Sequence, residues 1–569
     1  MWRRIAPRHA PIGRILSAAA AECARRPARA NAPWTKALFA PFADSKGWPD
    51  GLGWRRRARA WAGPRVPMRV GIGAGMSLRK FFPLLLQARI GRIASAAIAG
   101  CVGRLALGAA LGLGIGLDIT PAMAAPPMDA NQAREIAADA YVYAYPLVLM
   151  DVARRVQTNV QAPDTSLGAG APVNRFAHMS RAAEPLLHGL PYPDLDTLWS
   201  QLWFDVSREP LLIEVPDARG RYYSITLSDM WADAFAALGS RTVQDGARVY
   251  AIVGPDWHGK LPKPAEIIRA PTAAGLLRVR IAYGGVRDLG SAQGFQMALD
   301  ATPLSRWGKK TVPPDGHFDV ALSRRAPVDQ VAEMKPQAYF AAYAELVSRY
   351  PPHAGDGPML LRMARLGLAP GQRFDWSSLP ASLQAAVEAG VQRGQASVRS
   401  PVQPRPRGGD AWRMPDRRLG SYGTDYALRA RAARALGAVA LPEDEIVLRA
   451  HADSDGRPLD GSFRYEVRFD RGQLPPADVL WSMTLYNDRR ELFDNQVNLY
   501  AVGTRHPLTP GQGGVLTAYV QYAQPTGEQV RNWLPAPQSG RFTLVMRLYQ
   551  PGQDAIEGLW QPPTIRRIQ

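Results

Sequence analysis

Cysteine is almost absent from this chain of 569 residues, which contains only Cys23 and Cys101. Both lie in the first 124 residues, so residues 125–569 contain none. This excludes a disulfide framework, a cysteine nucleophile, cysteine-ligated zinc and iron–sulfur clusters from the main body. A chain that lacks thiols is also suited to an oxidising compartment, where unpaired cysteines are a liability.

Several catalytic motifs are missing from residues 125–569 as well. There is no His-Glu-x-x-His, no His-x-His pair, no phosphate-binding P-loop and no Gly-x-Gly-x-x-Gly turn after a predicted strand. The nucleophile elbow Gly-x-Ser-x-Gly is absent, since residues 419–423 have leucine at the first glycine position. These absences disfavour metalloproteases, nucleotide-binding enzymes and elbow-type hydrolases, and we expect neither a metal nor a cofactor.

Residues 105–117 form a short hydrophobic run whose 13 residues carry no charge. It is too short to span a membrane, which needs about 20 apolar residues. Basic residues precede it and Ala122-Met123-Ala124 follows it, an order typical of a secretory signal peptide. We therefore expect a signal peptide at 76–124, cleaved near Ala124, and a periplasmic or secreted product without stable membrane insertion.

Alternatives for this leader stay open. Residues 98–101 resemble a lipoprotein box that would lipidate Cys101, although arginines interrupt the apolar run before it. An uncleaved membrane anchor is a further alternative. Residues 1–75 are predicted to be disordered, or to be an extension that translation starting at Met68 or Met76 would omit.

The net charge of +20 is concentrated in the leader. Residues 1–124 contain 20 Lys and Arg against 4 Asp and Glu, which leaves 49 basic and 45 acidic residues in 125–569. A nearly neutral body has no overall field that attracts polyanions, so no nucleic-acid partner is expected.

Hydrophobic periodicity predicts a mainly β body with helical segments. Asp129 with Gln132 predicts a helix start, and the helix should reach about residue 160 with Pro146 bending or restarting it. Alternating patterns then predict strands, first at 202–206, 211–215, 222–227, 248–253 and 277–283, and later at 463–470, 479–486, 515–522 and 541–549. Helices are predicted between them at 328–349, 379–397 and 425–439.

These elements predict two jelly-roll-like β-sandwich domains with helical material between them and a disordered basic leader before them. The predicted boundaries are 125–325 for the N-terminal domain, 326–440 for a helical connecting region and 441–569 for the C-terminal sandwich.

Motifs along the body resemble two bacterial families of unknown function. The N-terminal part is similar to domain of unknown function 1254 through AYVYAYPLVLM at 140–150 and Asp196-Thr-Leu-Trp-Ser200. The C-terminal part is similar to domain of unknown function 1214 through WSMTLY at 481–486, NWLPAP at 532–537 and RLY at 547–549. The resemblance implies β-sandwich folds and carries no established activity.

The sequence departs from the first family at one motif. The family has Asn-x-Asp-Thr-x-Tyr where this chain has Asp194-Leu195-Asp196-Thr197-Leu198-Trp199. The chemistry of any common site is therefore expected to differ here.

Candidate site residues are the polar and aromatic side chains within these motifs. Carboxylates, an imidazole and strand-embedded guanidiniums are the groups that proton transfer and ligand binding use, and aromatic rings stack on ring-shaped ligands. The predicted catalytic residues are Asp196, Asp229 and His178, and the predicted ligand-binding residues are Arg241, Arg280, Arg547, Tyr223, Trp231 and Trp533.

Each candidate also has a structural interpretation. Asp194 and Asp196 form a carboxylate pair suited to glycoside hydrolysis if the segment is extended, or bond their own backbone if it is a turn. His178 is either part of a proton relay or metal site with Asp196, Asp229 and His188, or a hydrogen-bonded core residue. The arginines and aromatic residues either line a site or fix the packing of the sandwiches.

Two functional hypotheses follow. The first is an exported protein with a cleft lined by Asp, Arg and aromatic residues, a hydrolase or another enzyme acting on a small or carbohydrate-like envelope compound. The second is a non-catalytic envelope protein that binds a partner protein or glycan through an exposed aromatic surface. The sequence does not define the ligand, the reaction or the oligomeric state.

Overall fold

The computed structural model describes residues 128–164, 170–180, 191–243, 246–310, 312–400, 411–434 and 440–568. These residues all belong to one compact unit, Ile119–Gln569. The predicted leader, with its disordered segment and signal peptide, lies outside the described residues.

The N-terminal sandwich consists of a five-stranded sheet in the order β1-β2-β8-β4-β5 and a four-stranded sheet in the order β7-β6-β3-β9. Its strands are β1 (Ala177–Met179), β2 (Thr197–Asp205), β3 (Leu211–Val215), β4 (Tyr223–Asp229), β5 (Ala234–Gly239), β6 (Arg248–Val253), β7 (Glu266–Arg269), β8 (Ala274–Ala282) and β9 (Asp300–Pro303). Most neighbours are antiparallel, and β6 and β7 pair in parallel. Helix α1 (Ala130–Thr158) precedes the first strand, and helix α2 (Val286–Met297) connects β8 to β9.

The pleat of β8 decides where its arginines lie. Leu277, Val279 and Ile281 point into the core between the two sheets, so the alternation of a strand puts Arg278 and Arg280 on the opposite face. That outer face of the five-stranded sheet is partly covered, because the helical region and the C-terminal sandwich both contact it. Its polar side chains are consequently held at interfaces.

The helical layer is built around α1 (Ala130–Thr158), which is capped by Asp129 as predicted, through a hydrogen bond to Gln132 N. The other helices are α3 (Pro327–Ala332), α4 (Pro336–Arg349), α5 (Gly357–Ala364), α6 (Ala381–Arg399) and α7 (Tyr426–Ala433). Helix α1 shares one hydrophobic core with them. It therefore belongs in space to the region 326–440, although it precedes the first sandwich in sequence.

Two predictions about prolines and helix ends need correction. Helix α1 runs unbroken from Ala130 to Thr158, so it does not restart at Pro146, and a bend there stays a prediction. The predicted helix at 328–349 is divided into α3 and α4, and Pro336 is the first residue of α4, where a missing N–H costs nothing.

Helix α1 is long and apolar enough to cross a membrane, but most of that apolar stretch is buried inside the protein. Its aromatic stripe accounts for this burial. Tyr141 stacks on Tyr339 of α4 with ring centroids 4.3 Å apart, and Tyr145, Leu149 and Val152 are buried as well. The stripe is a core-facing surface.

The C-terminal sandwich repeats the plan of the first. A five-stranded sheet has the order β10-β11-β17-β13-β14, and a four-stranded sheet has the order β16-β15-β12-β18. The strands are β10 (Trp412–Arg413), β11 (Glu445–Ala450), β12 (Tyr465–Phe469), β13 (Ala477–Asn487), β14 (Ala501–Gly503), β15 (Leu516–Gln521), β16 (Trp533–Pro535), β17 (Phe542–Pro551) and β18 (Thr564–Arg567), and a short helix α8 (Gln553–Ile556) follows β17. A mainly β fold of two sandwiches with helical segments is thus confirmed.

Candidate functional site

The segment before β2 is a tight turn organised by Asp194. Its Oδ1 accepts hydrogen bonds from the backbone N–H groups of Asp196, at 2.7 Å, and Thr197, at 3.2 Å. This is the turn interpretation of the two aspartates, in which a carboxylate bonds its own backbone. Asp194 is therefore a structural carboxylate, and the two acids are not equivalent.

Asp194 also connects the two sandwiches. Arg280 Nη1 of β8 lies 3.0 Å from its Oδ2, and Tyr549 of β17 donates from its hydroxyl to Oδ1 at 2.8 Å. Burial raises the pKa of Asp194, but the charges of Arg547 and Arg280 and the hydrogen bonds outweigh burial, so the pKa lies below its ordinary value. Asp194 is thus held in its ionised form.

Glu445 of β11 completes this buried network. Its carboxylate lies 3.2 Å from Arg280 Nη2 and 3.7 Å from Arg547 Nε. Arg547 further donates to the hydroxyl of Tyr486 and to the carbonyl of Tyr192. Two of the predicted ligand-binding arginines, Arg280 and Arg547, are thus brought together, and both are held by buried partners at the junction of the sandwiches.

Asp196 faces the other way, toward a cleft. It is buried, with 3% of its surface exposed. Its Oδ2 accepts a hydrogen bond from Ser482 Oγ of β13, and its backbone carbonyl accepts one from Arg505 Nη2. Burial raises the pKa of Asp196, and the nearby negative charge of Asp194 raises it further against the opposing charge of Arg505.

The cleft lies between the two sandwiches and has a volume of about 220 Å³. The N-terminal side contributes the segment before β2 and the start of α2, and the C-terminal side contributes β13, β14 and the turn after β14. The lining residues are Leu195, Asp196, Tyr283, Gly285, Val286, Leu289, Trp481, Ser482, Asn498, Tyr500, Ala501, Val502, Gly503, Arg505 and His506. Among them Asp196 is the carboxylate and Arg505 the guanidinium.

Asp229 belongs to a different cluster, between the N-terminal sandwich and the helical layer. Its Oδ1 accepts from the N–H groups of Trp231 and Asp233, and its Oδ2 lies 2.7 Å from His353 Nε2. Burial lowers the pKa of His353, but the hydrogen bond and charge of Asp229 outweigh burial, and the pKa lies above its ordinary value. No motif or spacing indicated His353 as the partner of Asp229.

Asp229, Asp233 and His353 offer ligand atoms within 4.8 Å of one another, a spacing that a metal ion can bridge. A cation already compensates this cluster, however, because the fully buried Arg429 lies 2.7 Å from Asp233 Oδ2. The arrangement is that of a buried ion-pair network, in which each charge has a partner of opposite sign.

His178 lies apart from both aspartates, on the edge strand β1. Its Nδ1 is 2.9 Å from Ser200 Oγ, and its ring stacks on Phe176. Burial lowers the pKa of His178 to about 4, so the imidazole is neutral near pH 7. These contacts are those of a hydrogen-bonded core histidine. His188 lies outside the residues that the structure describes.

The remaining candidates are dispersed. Arg241 is exposed and forms an ion pair with Asp444 at 2.8 Å. Tyr223 is buried against Phe295, and Trp231 is fully buried in the helical core. Trp533 lies on the outermost strand of its sheet, where its indole donates to the carbonyl of Gln521. None of these residues lines the cleft.

Sequence reasoning thus identified Asp196 and missed its two partners. Ser482 lies inside the motif WSMTLY, whose conspicuous residues are the aromatic ones, and Arg505 lies in a turn with no distinguishing pattern.

The two residues at which this chain departs from the family motif, Asp194 and Trp199, both have specific contacts in the structure. The charge of Asp194 pairs with Arg280, and the ring of Trp199 lies 5.4 Å from the guanidinium of Arg278.

Comparisons with known proteins agree with this architecture. Residues 173–303 match the family described as Protein of unknown function (DUF1254), and residues 444–553 match the family described as Protein of unknown function (DUF1214). The crystal structure of the VPA0106 protein from Vibrio parahaemolyticus is 22% identical, with a TM-score of 0.57 over 77% of this chain and 100% of that chain.

A crystal structure of an uncharacterised protein from Burkholderia cenocepacia is 13% identical, with a TM-score of 0.36 over 77% of this chain and 93% of that one. The search of curated proteins gave no match. The likeness to the Vibrio protein shows a shared fold and says nothing about activity. The chain therefore carries a DUF1254 domain followed by a DUF1214 domain, the pairing that its motifs predicted.

Proposed function

We propose that this chain is an exported protein that binds a small organic molecule in the cleft between its sandwiches, with Asp196 as the proton donor to that molecule. One observation carries the proposal. Asp196 is the carboxylate among the described lining residues, it is buried, and Ser482 and Arg505 of the opposite sandwich hold it. A carboxyl group whose pKa is raised by burial keeps its proton closer to neutral pH and can act as a general acid.

The volume of the cleft limits the ligand. A cavity of roughly 150 Å³ accommodates a benzene ring, so 220 Å³ suits a molecule of about ten non-hydrogen atoms. The cleft is too small to enclose an oligosaccharide. The glycosidase mechanism also needs a second carboxylate, and Asp194 is committed to Arg280 and Tyr549.

The reaction class that fits is an acid-assisted step on a small compound, such as hydrolysis in which Asp196 protonates the departing oxygen or nitrogen. Ser482, bonded to Asp196 Oδ2, fixes the orientation of that carboxyl group. Activity that needs protonated Asp196 should decrease as pH rises through its raised pKa.

Binding is tested by thermal shift of the purified chain with a panel of small alcohols, amides, esters and carboxylic acids. A ligand at about 100 times its Kd stabilises the folded state by about 2.7 kcal/mol, whether or not it is converted. Asp196→Asn should abolish product formation, as measured by mass spectrometry. The matched control is Asp453→Asn, which changes a buried carboxylate that pairs with Arg457 and does not line the cleft. Equal activity in Asp196→Asn and wild type would refute the proton-donor role.

A non-catalytic binding protein is the second candidate. Its supporting observation is that Asp196 Oδ2 accepts from Ser482 and its backbone carbonyl accepts from Arg505, so both groups are already engaged with Asp196. It predicts stabilisation by a ligand without any product. The buried positions of Tyr223 and Trp231 do not supply the exposed aromatic surface that partner binding would use.

Export is tested by fractionating cells that express the full chain. The proposal expects a periplasmic or secreted product whose N-terminal residue is Ala125 or a near neighbour. Recovery of an uncleaved cytosolic chain would contradict it.

A further inference from the structure

We infer that the cleft takes a small monocarboxylate, an apolar body that carries one carboxylate group, and that Arg505 recognises its charge. This inference rests on the proposed function of the cleft as a ligand site. It adds the chemical class of the ligand and the residue that selects it.

The apolar body follows from the composition of the walls. Leu195 and the first turn of α2, with Val286 and Leu289, form the N-terminal wall, while Trp481 and Val502 contribute apolar surface from the C-terminal side. A ligand that fills this space with methylene or aromatic carbon removes apolar surface from water, at about 25 cal/mol per Å². A wholly polar molecule would gain nothing from these walls.

The charge of the ligand follows from the contacts of Arg505. Its Nη1 donates to the carbonyl of Leu195 at 2.8 Å, and its Nη2 donates to the carbonyl of Asp196. Both acceptors are neutral, and the guanidinium packs 4.8 Å from the ring centroid of Tyr283. Its distance to the Asp196 carboxylate is 3.4 Å, beyond the usual range of about 2.7 to 3.2 Å for such a hydrogen bond.

A protonated Asp196 leaves this guanidinium without a counter-ion among the described lining residues. The nearby Asp288 also interacts with the charge of Arg505, but it is paired with Arg221 at 2.6 Å. Burial and the charge of Asp194 both favour that protonated form. An incoming carboxylate would then accept from Arg505 and from the carboxyl group of Asp196, and charge-assisted bonds of this kind are among the strongest in proteins. A single guanidinium balances one negative charge, which selects a monocarboxylate over a dicarboxylate.

The test compares benzoate, benzamide and benzyl alcohol, three ligands of similar size, by isothermal titration calorimetry on the purified processed chain. We expect benzoate to bind about tenfold more tightly than benzamide, the scale of one charge-assisted hydrogen bond. Arg505→Gln should remove this preference, and Arg505→Lys should restore part of it because it retains the charge. The control is Arg567→Gln, an arginine of the same sandwich that packs on Phe463 outside the cleft and should leave the preference unchanged.

A pH series provides a second measurement that does not depend on folding of the Arg505 variants. Asp196 is surrounded by Asp194, Arg505 and Arg547, and the cleft also contains Tyr283 and His506. Benzoate affinity should fall as pH rises through the raised pKa of Asp196, while benzamide affinity should change less. Burial lowers the pKa of His506, so its imidazole is already mostly neutral near pH 7.

The outcomes separate the two levels of the proposal. If benzamide or another neutral ligand binds as tightly as benzoate, the carboxylate inference is refuted and the cleft remains a ligand site. If no compound of the whole panel stabilises or binds the chain, the proposed function fails together with the inference.

Discussion

Asp194→Asn is the substitution whose effect the structure defines most closely. Asparagine is also the residue that the family motif has at this position. The new amide oxygen can replace Oδ1 and keep the bonds from Asp196 N, Thr197 N and Tyr549. The amide nitrogen then replaces Oδ2, where it faces Arg280 Nη1 at 3.0 Å, donor against donor.

The main losses are therefore the buried ion pair with Arg280 and the attraction of Arg547. The hydroxyl of Thr197, which donates to Oδ2 in the wild type, can rotate and accept from the amide nitrogen instead. Hydrogen bonds to charged groups contribute about 1.5 to 3 kcal/mol, and breaking a buried ion pair by removing one partner costs about 3 to 5 kcal/mol. Arg280 keeps Glu445 as a second partner at 3.2 Å, so we expect a loss in the lower part of these ranges, about 2 to 3 kcal/mol.

The loss should depend on pH in a defined direction. The pKa of Asp194 is lowered in the folded state, so its stabilisation is complete above its unfolded pKa of about 3.9. It disappears as pH falls through the folded-state value. The difference between wild type and Asp194→Asn should thus be full near pH 7 and shrink below about pH 4.

Urea denaturation at a series of pH values, followed by tryptophan fluorescence, measures this difference. A double-mutant cycle with Arg280→Met isolates the pair, and its coupling energy should be about 2 kcal/mol. A change below about 0.5 kcal/mol at pH 7, within the range of ordinary surface substitutions, would refute the reasoning. So would a difference that is independent of pH.

Three further predictions concern charges outside the cleft. Arg241→Ala removes the ion-pair partner of the buried Asp444 and should cost about 1 to 3 kcal/mol by the same denaturation assay, the penalty of leaving a buried polar group unpaired. The imidazole of His178 should titrate near pH 4 by NMR. Because this folded-state pKa lies below the unfolded value of about 6.5, the stabilisation is complete above about pH 6.5 and is lost as pH falls toward 4. Titration near the unfolded value would contradict the burial of His178. Asp229→Asn should lower the pKa of His353 from its raised value, since the hydrogen bond and charge of Asp229 no longer oppose burial while Asp233 still does at 3.9 Å. An unchanged NMR titration would show that the ion pair with Asp229 is not the cause.

Much of the strand pattern could be predicted from local sequence. The predicted strands at 211–215 and 248–253 coincide with β3 and β6, because short apolar runs bounded by proline, glycine and aspartate residues define where a strand begins and ends.

Pro146 shows the limit of local reasoning. A proline inside a helix costs about 3 kcal/mol, and α1 tolerates it because burial against the other helices outweighs that cost.

The site was only partly predictable, because the residues that form it lie far apart along the chain. Asp196 was identifiable because a carboxylate within strand-forming residues needs a partner once it is buried. The partners, Ser482 and Arg505, lie 286 and 309 residues away, and no periodicity connects them to Asp196.

Composition and periodicity by themselves determined the near-neutral, cysteine-free body, the alternating strands and the two-sandwich class, because each depends on neighbours in sequence. The docking of the second sandwich on the first decided which acids are charged. It places Arg280, Tyr549 and Glu445 around Asp194 and leaves Asp196 beside the cleft. The electrostatic environment of a carboxylate is set by groups within a few ångströms in space, and only the tertiary structure brings those groups together.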